Sequence, residues 1–75
     1  MTTRLVLDTG VVIESHGVEY EAGACVHVLR PDGTEVGFWD CEEWREDPEL
    51  VMGAILNCAR DAPKLEASDP RRRRR

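Results

Sequence analysis

Apolar and polar residues alternate over the first half of the chain, in short runs separated by glycine-containing turns. Successive side chains of a strand point to opposite faces of a sheet, so this alternation predicts strands. Residues 4–8 form the first run, and the β-branched segment 11–14 is either a second strand or the continuation of the first. Segment 18–21 alternates between an apolar and an acidic face, as a half-buried strand does.

The most specific local pattern is that of a β-hairpin. Segments 24–30 and 35–40 have the composition of paired strands, and the sequence Pro-Asp-Gly-Thr at 31–34 separates them. Proline presets φ and Asp-Gly favours a tight turn, so these four residues predict the hairpin loop. A hairpin is marginal alone in water and needs a further strand or a helix on its apolar face.

Two helix starts follow the hairpin. Asp40 and Glu43 have the spacing of a capping box, which predicts a short helical turn over 41–46. Asp47 is followed by proline and glutamate, the residues preferred at an N-cap and in the first turn, and predicts the main helix over 48–60.

Beyond Pro63, which ends the helical pattern, apolar residues become sparse. The sequence therefore predicts one compact α+β domain over 1–63 and a flexible C-terminal tail over 64–75. The expected architecture is a three- or four-stranded antiparallel sheet with one main C-terminal helix packed on one face.

The length of the chain limits how stable such a domain can be. A domain of 75 residues buries only about 60% of the surface that its unfolded chain exposes, so small domains often rely on disulfides, a metal or a partner chain. Three cysteines and no signal-like N-terminal segment point to unbridged thiols in the reducing cytoplasm.

The cysteines and histidines do not have the spacing of a metal or redox site. Cys25 and His27 are two residues apart on one predicted strand, while His16, Cys41 and Cys58 are scattered. Neither a C-x2-C nor an H-x3-H pair is present, so no metal or other cofactor is predicted. The thiols are expected to act as small apolar residues, and Cys41 is the one candidate for a reactive thiol because it starts a helix.

Charge divides the chain into two parts. The formal net charge is −5, but the first 70 residues carry five basic and fifteen acidic side chains, a formal charge of −10. Such a body repels phosphates and attracts basic protein surfaces. The remaining basic residues form a run that could bind nucleic acid or an acidic partner, or could fold back on the body: Arg71, Arg72, Arg73, Arg74 and Arg75.

The predicted main helix is more apolar than a helix lying on one sheet requires. No charged residue lies between Glu49 and Arg60. One interpretation is a central helix wrapped by the sheet and the tail. The other is a homodimer seam or partner groove, with a candidate dimer interface formed by Met52, Gly53, Leu56 and Ala59.

The segment 38–49 concentrates acids and both tryptophans. Capping accounts for several of the acids, and the aromatic rings could fill the core. The alternative is a contact surface in which tryptophan anchors a basic partner and acids imitate nucleic-acid phosphates. The candidate partner-binding residues are Trp39, Asp40, Glu42, Glu43, Trp44, Glu46 and Asp47.

Catalytic motifs are missing from the sequence. It contains no nucleophile elbow, P-loop or HExxH pattern. A core of this size is also expected to lack a pocket of about 300 Å³ or more, so no enzymatic activity is predicted.

The profile of a tiny acidic chain with unbridged cysteines resembles that of small phage- or plasmid-encoded inhibitors of nucleic-acid machinery, anti-CRISPR proteins among them. That resemblance implies a cytoplasmic binding protein that docks on a basic, nucleic-acid-handling protein partner. Two alternatives remain open: a nucleic-acid accessory protein that uses the arginine tail, and a structural dimeric subunit.

Overall fold

The computed structural model of the protein describes residues 2–17 and 19–67. It contains a four-stranded antiparallel sheet in the order β1-β2-β3-β4 and a main helix packed against it, which confirms the predicted α+β class. The elements are β1 (Thr3–Val6), β2 (Val12–Ser15), β3 (Val26–Leu29), β4 (Glu35–Trp39), α1 (Cys41–Glu46), α2 (Pro48–Asp61) and a 3-10 turn (Ala62–Lys64).

The first two predicted runs are separate strands. Leu7 N–H donates to the carbonyl of Val11 over 2.8 Å, which closes the turn between β1 and β2. The alternation at 18–21 is not realised as a strand, because the described residues 19–21 form a turn and irregular backbone. The four strands of the sheet are therefore β1, β2 and the two strands of the hairpin.

The predicted hairpin is confirmed and forms β3 and β4. Arg30 N–H donates to the Thr34 carbonyl over 2.8 Å, and Asp32 Oδ1 accepts from Thr34 N–H over 2.9 Å. Gly33 has φ of +91°, a conformation that is strained for residues with a Cβ. A bulge follows Val28, so that the strand partners change from Gly37 to Glu35 across one step of β3.

Both predicted helix starts are confirmed. Asp40 Oδ1 accepts from Glu43 N–H over 3.1 Å, and Glu43 Oε1 accepts from Asp40 N–H over 3.0 Å, which is a complete capping box. Asp47 caps α2 by accepting from Leu50 N–H over 3.2 Å. Pro63 lies in the 3-10 turn that ends the helical segment.

The packed part of the chain continues past Pro63. Ala62 is fully buried, and Leu65 packs against the core. Arg30 Nη1 donates to the Leu65 carbonyl over 2.7 Å. The arginine run predicted as a tail lies outside the described residues.

The core lies between α2 and one face of the sheet. Val28 and Gly37 are paired across β3 and β4, and the Cys58 sulfur of α2 lies over Gly37. A Cβ built on Gly37 would be 2.7 Å from that sulfur, so the close approach of the helix requires glycine there. Because side chains alternate along a strand, His27 and Phe38 belong to the opposite face.

The three thiols behave as apolar core groups, as predicted. Cys25 and Cys41 are buried and Cys58 is half-buried, and all three are unbridged. Burial, reinforced by the neighbouring Cys41 side chain, raises the pKa of Cys25 to about 11. Burial also raises the pKa of Cys58, with a smaller contribution from Asp61. Protonated, buried thiols are poor nucleophiles.

No helix within residues 2–17 and 19–67 is long and apolar enough to cross a bilayer.

Candidate functional site

An open cleft lies between the segment 20–24 and the start of α1. Its volume is about 490 Å³, so the expectation that so small a core would leave no pocket above about 300 Å³ is wrong. The reason is that the described residues 19–25 form turns and irregular backbone instead of a strand, and residues 20–24 make one wall of the cleft. The lining residues are Tyr20, Glu21, Ala22, Gly23, Ala24, Phe38, Asp40, Cys41, Glu42 and Arg45.

Two hydrogen bonds hold the walls of the cleft in place. The Cys41 thiol at the start of α1 donates to the carbonyl of Tyr20 over 3.0 Å, which joins the loop to the helix. Cys25 N–H donates to the Trp39 carbonyl over 2.9 Å, which fixes the other end of the loop to β4. The candidate reactive thiol therefore has a structural role, because it is buried and bonded to the backbone.

The cleft carries an excess of negative charge. Among the described residues, the carboxylates of Glu21, Asp40 and Glu42 line it together with one cation, Arg45. Asp40 is committed to the capping box, whereas Glu21 and Glu42 are exposed to solvent. The aromatic rings of Tyr20 and Phe38 supply its apolar lining. A carboxylate-bearing cleft with aromatic walls suits a cationic side chain.

The acidic, tryptophan-bearing segment is divided by the structure into two groups. Trp39 and Trp44 are half-buried and pack against the core. Asp40, Glu43 and Asp47 accept hydrogen bonds at helix N-termini or in the capping box. The remaining candidates, Glu42 and Glu46, are exposed on α1. Of the seven candidate residues, the cleft brings together Asp40 and Glu42.

The four candidate dimer residues fall into an exposed group and one buried residue. Met52, Gly53 and Leu56 are exposed on α2. Ala59 differs, since it is 5% exposed and belongs to the core cluster. It lies on the side of the helix that faces the sheet, and it is therefore not available to a second chain.

A cluster on the opposite face of the sheet was not predicted. The ring of His16 stacks on Tyr20 with centroids 4.5 Å apart and meets the edge of His27 at 5.5 Å. His16 Nε2 is 3.7 Å from a Glu14 carboxylate oxygen, and His27 is hydrogen-bonded to Glu35. The pairing of β2 with β3 places Glu14 opposite His27, and that long-range register has no local sequence signal.

These histidines do not form a metal site. Among the residues that the structure describes, no group of three or more histidine, cysteine, aspartate or glutamate side chains is arranged to hold an ion. Cys25, two residues from His27 in sequence, interacts instead with the Cys41 side chain.

Comparisons of the chain with protein-family models, with curated proteins and with solved structures find no match.

Proposed function

We propose that this chain is a non-enzymatic protein-binding module that docks on a basic surface of a nucleic-acid-handling protein and inhibits or regulates it. Phage- and plasmid-encoded anti-defence proteins such as anti-CRISPR proteins act in this general manner. The observation that carries the proposal is the acidic cleft beside α1, where the exposed carboxylates of Glu21 and Glu42 stand next to aromatic rings.

The chemistry of the cleft favours a lysine or arginine side chain as its occupant. A guanidinium group can pair with carboxylates and stack on an aromatic face at the same time. Tyr20 is 37% exposed, and one face of its ring stacks on His16, so an incoming guanidinium would have to use the other face. Further acids on the neighbouring surface, Glu19, Glu43 and Glu46, would steer a basic partner toward the cleft.

The composition of the cleft supports binding over catalysis. Its described lining contains no histidine, and its one thiol donates to a backbone carbonyl. The lining carboxylates could serve as general bases, but the described lining offers them no serine, threonine, lysine or free thiol as a nucleophile. Three unbridged cysteines support a reducing compartment, the cytoplasm, as the place of action. A homodimer formed through α2 would carry two such clefts.

An affinity-capture experiment from nuclease-treated lysate of the source cell tests the proposal. The wild-type chain and the variant Glu21→Lys/Glu42→Lys are used as bait, and bound proteins are quantified by mass spectrometry. We expect the wild type to retain a basic protein that the variant loses at least about tenfold, because two attractive contacts become repulsive. Double-stranded DNA or RNA should displace that protein in competition.

A charge-matched control separates the cleft from the overall charge. Asp8→Lys/Glu66→Lys alters two exposed acids outside the cleft lining by the same total charge and should bind as the wild type does. A bait truncated after residue 70 removes the arginine run and should also retain the partner. Equal recovery by the wild type and the cleft variant contradicts the proposal, and a salt-sensitive shift of nucleic acid by the wild type but not the truncated chain favours the accessory-protein alternative.

A further inference from the structure

The outer face of α2 has features that residues 2–17 and 19–67 of the same chain do not use. Val51 and Ile55 point into the core, so the opposite side of the helix faces solvent. At about 100° per residue, Glu49, Gly53, Leu56 and Arg60 fall within an arc of roughly 60° on that outer side. All four are exposed.

The described part of the chain gives no structural reason for glycine at position 53. A Cβ built there meets no described atom within 4 Å, and its φ is not positive. Glycine in the interior of a helix lowers helix stability relative to alanine, so an uncrowded position is normally occupied by another residue. What glycine does provide is a shallow recess on the helix surface, into which a neighbouring side chain can fit.

Leu56, one turn along the helix, supplies a side chain of that kind. It is 57% exposed, and Met52 beside it is 45% exposed. An exposed leucine is common by itself. Leu56 and the recess at Gly53 lie on the same face of α2. A two-fold axis through that face would bring Leu56 of one copy over Gly53 of the other.

The order of the four residues is self-complementary about a point between residues 54 and 55. An antiparallel crossing at that point places Gly53 opposite Leu56 of the second copy, and Glu49 opposite its Arg60. The same operation repeats both contacts in the other direction, as a two-fold interface requires. A parallel crossing would instead place Glu49 against Glu49 and Arg60 against Arg60.

We infer that two copies of this chain associate through the outer face of α2 in an antiparallel, two-fold arrangement, with Leu56 of each seated over Gly53 of the other. The partner is a second copy of the chain, because the antiparallel arrangement places Glu49 of each copy opposite Arg60 of the other. The charges that meet at both ends of the contact are therefore opposite in sign. Arg60 contacts Asp61 in one chain at 3.2 Å, with the two side chains 70% and 43% exposed, and an ion pair so open to solvent contributes little. This surface contains none of the residues that line the acidic cleft, so the inference does not depend on the docking proposal.

Sedimentation velocity of the purified full-length chain tests this arrangement, over about 1 µM to about 1 mM at low salt. One helix pair gives an interface below the standard size of about 1,200 Å² or more, so we expect a weak dimer with a dissociation constant of about 10–100 µM. Gly53→Gln fills the recess, and its Cβ meets no described atom of its own chain within 4 Å. It should therefore weaken dimerisation at least tenfold while raising or preserving the thermal midpoint.

A charge exchange tests the orientation. Glu49→Arg and Arg60→Glu should each weaken the dimer about fivefold or more, because each alters both symmetry-related contacts. The double variant Glu49→Arg/Arg60→Glu should recover affinity to within a few-fold of the wild type, provided that circular dichroism shows an intact helix. Asp8→Arg, at an exposed position in the turn between β1 and β2, is the charge-matched control and should dimerise normally.

Three results would overturn the inference. The first is a wild-type chain that stays monomeric throughout the concentration range. The second is a dimer insensitive to Gly53→Gln but disrupted by Leu5→Asp, which would place the contact on the exposed edge strand β1. The third is failure of the folded double variant to recover affinity while each single variant loses it, which would exclude the antiparallel pairing.

Discussion

At the scale of single residues, the two glycines within regular elements have opposite surroundings. Gly37 lies in β4 beneath the Cys58 sulfur and beside the Trp39 ring, whereas Gly53 lies in open space on α2. Both cost conformational entropy on folding. Only the glycine of the strand is required by the packing of the folded chain.

Substitution of these glycines by alanine should therefore change stability in opposite directions. Gly37→Ala places a methyl group 2.7 Å from Cys58 Sγ and 3.0 Å from the Trp39 ring, and we expect a loss of about 1–3 kcal/mol in the free energy of unfolding. Gly53→Ala should gain about 1 kcal/mol. Urea denaturation measures both, and Cys58→Ala combined with Gly37→Ala should recover part of the loss. A neutral Gly37→Ala variant would show that α2 does not approach β4 this closely.

The buried thiol of Cys25 adds a pH dependence to stability. Its pKa rises from 9.0 to about 11 on folding, chiefly through burial. Above pH 9 the unfolded chain loses this proton before the folded chain does, so the stabilisation present at lower pH is lost as the pH approaches 11.

We expect the free energy of unfolding to fall by about 2 kcal/mol from this group between pH 9 and pH 11. Cys25→Ala removes the titrating group, and its stability should decline less steeply over that range even though its stability at pH 7 is lower. Denaturant titrations at several pH values measure the two slopes. An equal pH dependence of the free energy of unfolding in the wild type and the variant would mean that the pKa of Cys25 is the same in the folded and unfolded chain.

At the scale of elements, local hydrogen bonds at the helix starts account for the accuracy of the helix predictions. A capping side chain acts on backbone groups two or three residues away, so its effect depends on adjacent sequence alone. The same holds for the turn at Gly33, whose positive φ is a property of one residue. Segment 18–21 shows the limit, since alternation predicts a strand only where a partner strand lies beside it.

The contribution of the Asp47 cap to the stability of the protein can be measured with single substitutions. Asp47→Ala removes the acceptor for Leu50 N–H and should lower the free energy of unfolding by about 1 kcal/mol. Asp47→Asn keeps a capping oxygen and should stay within a few tenths of a kcal/mol of the wild type. Thermal and urea unfolding monitored by circular dichroism distinguish the two. An equal loss in both variants would indicate that the negative charge at the helix start, not the hydrogen bond, is what stabilises α2.

At the scale of the whole molecule, the two proposed contact surfaces are separate. Every described residue that lines the acidic cleft precedes α2, while the proposed dimer contact uses α2 alone. A dimer of the proposed kind would leave both clefts open to partners. Two linked clefts would raise the apparent affinity for a partner with repeated basic sites, provided that the spacing permits simultaneous contact.

The small size of the chain limits its stability, and its acidic charge limits its binding to phosphates, as the sequence indicates. The radius of gyration of the Cα atoms is 11.6 Å, and the core is one layer of side chains between α2 and the sheet. With so little buried surface, changes of one or two kcal/mol are a large part of the total stability. The excess of acids over the first 70 residues also opposes binding to phosphates by the body of the protein.

The amino-acid sequence by itself determined the hairpin of β3 and β4, both helix starts, the apolar character of the thiols and the acidity of the body. Each of these depends on the conformational preferences or charges of neighbouring residues. Tertiary structure alone decided the pairing of β2 with β3, the side of α2 on which Ala59 lies, the meeting of His16 with His27, and the cleft beside Cys41. These features join residues far apart in the chain, and their geometry follows from how α2 packs across the sheet and where the loop before β3 is attached.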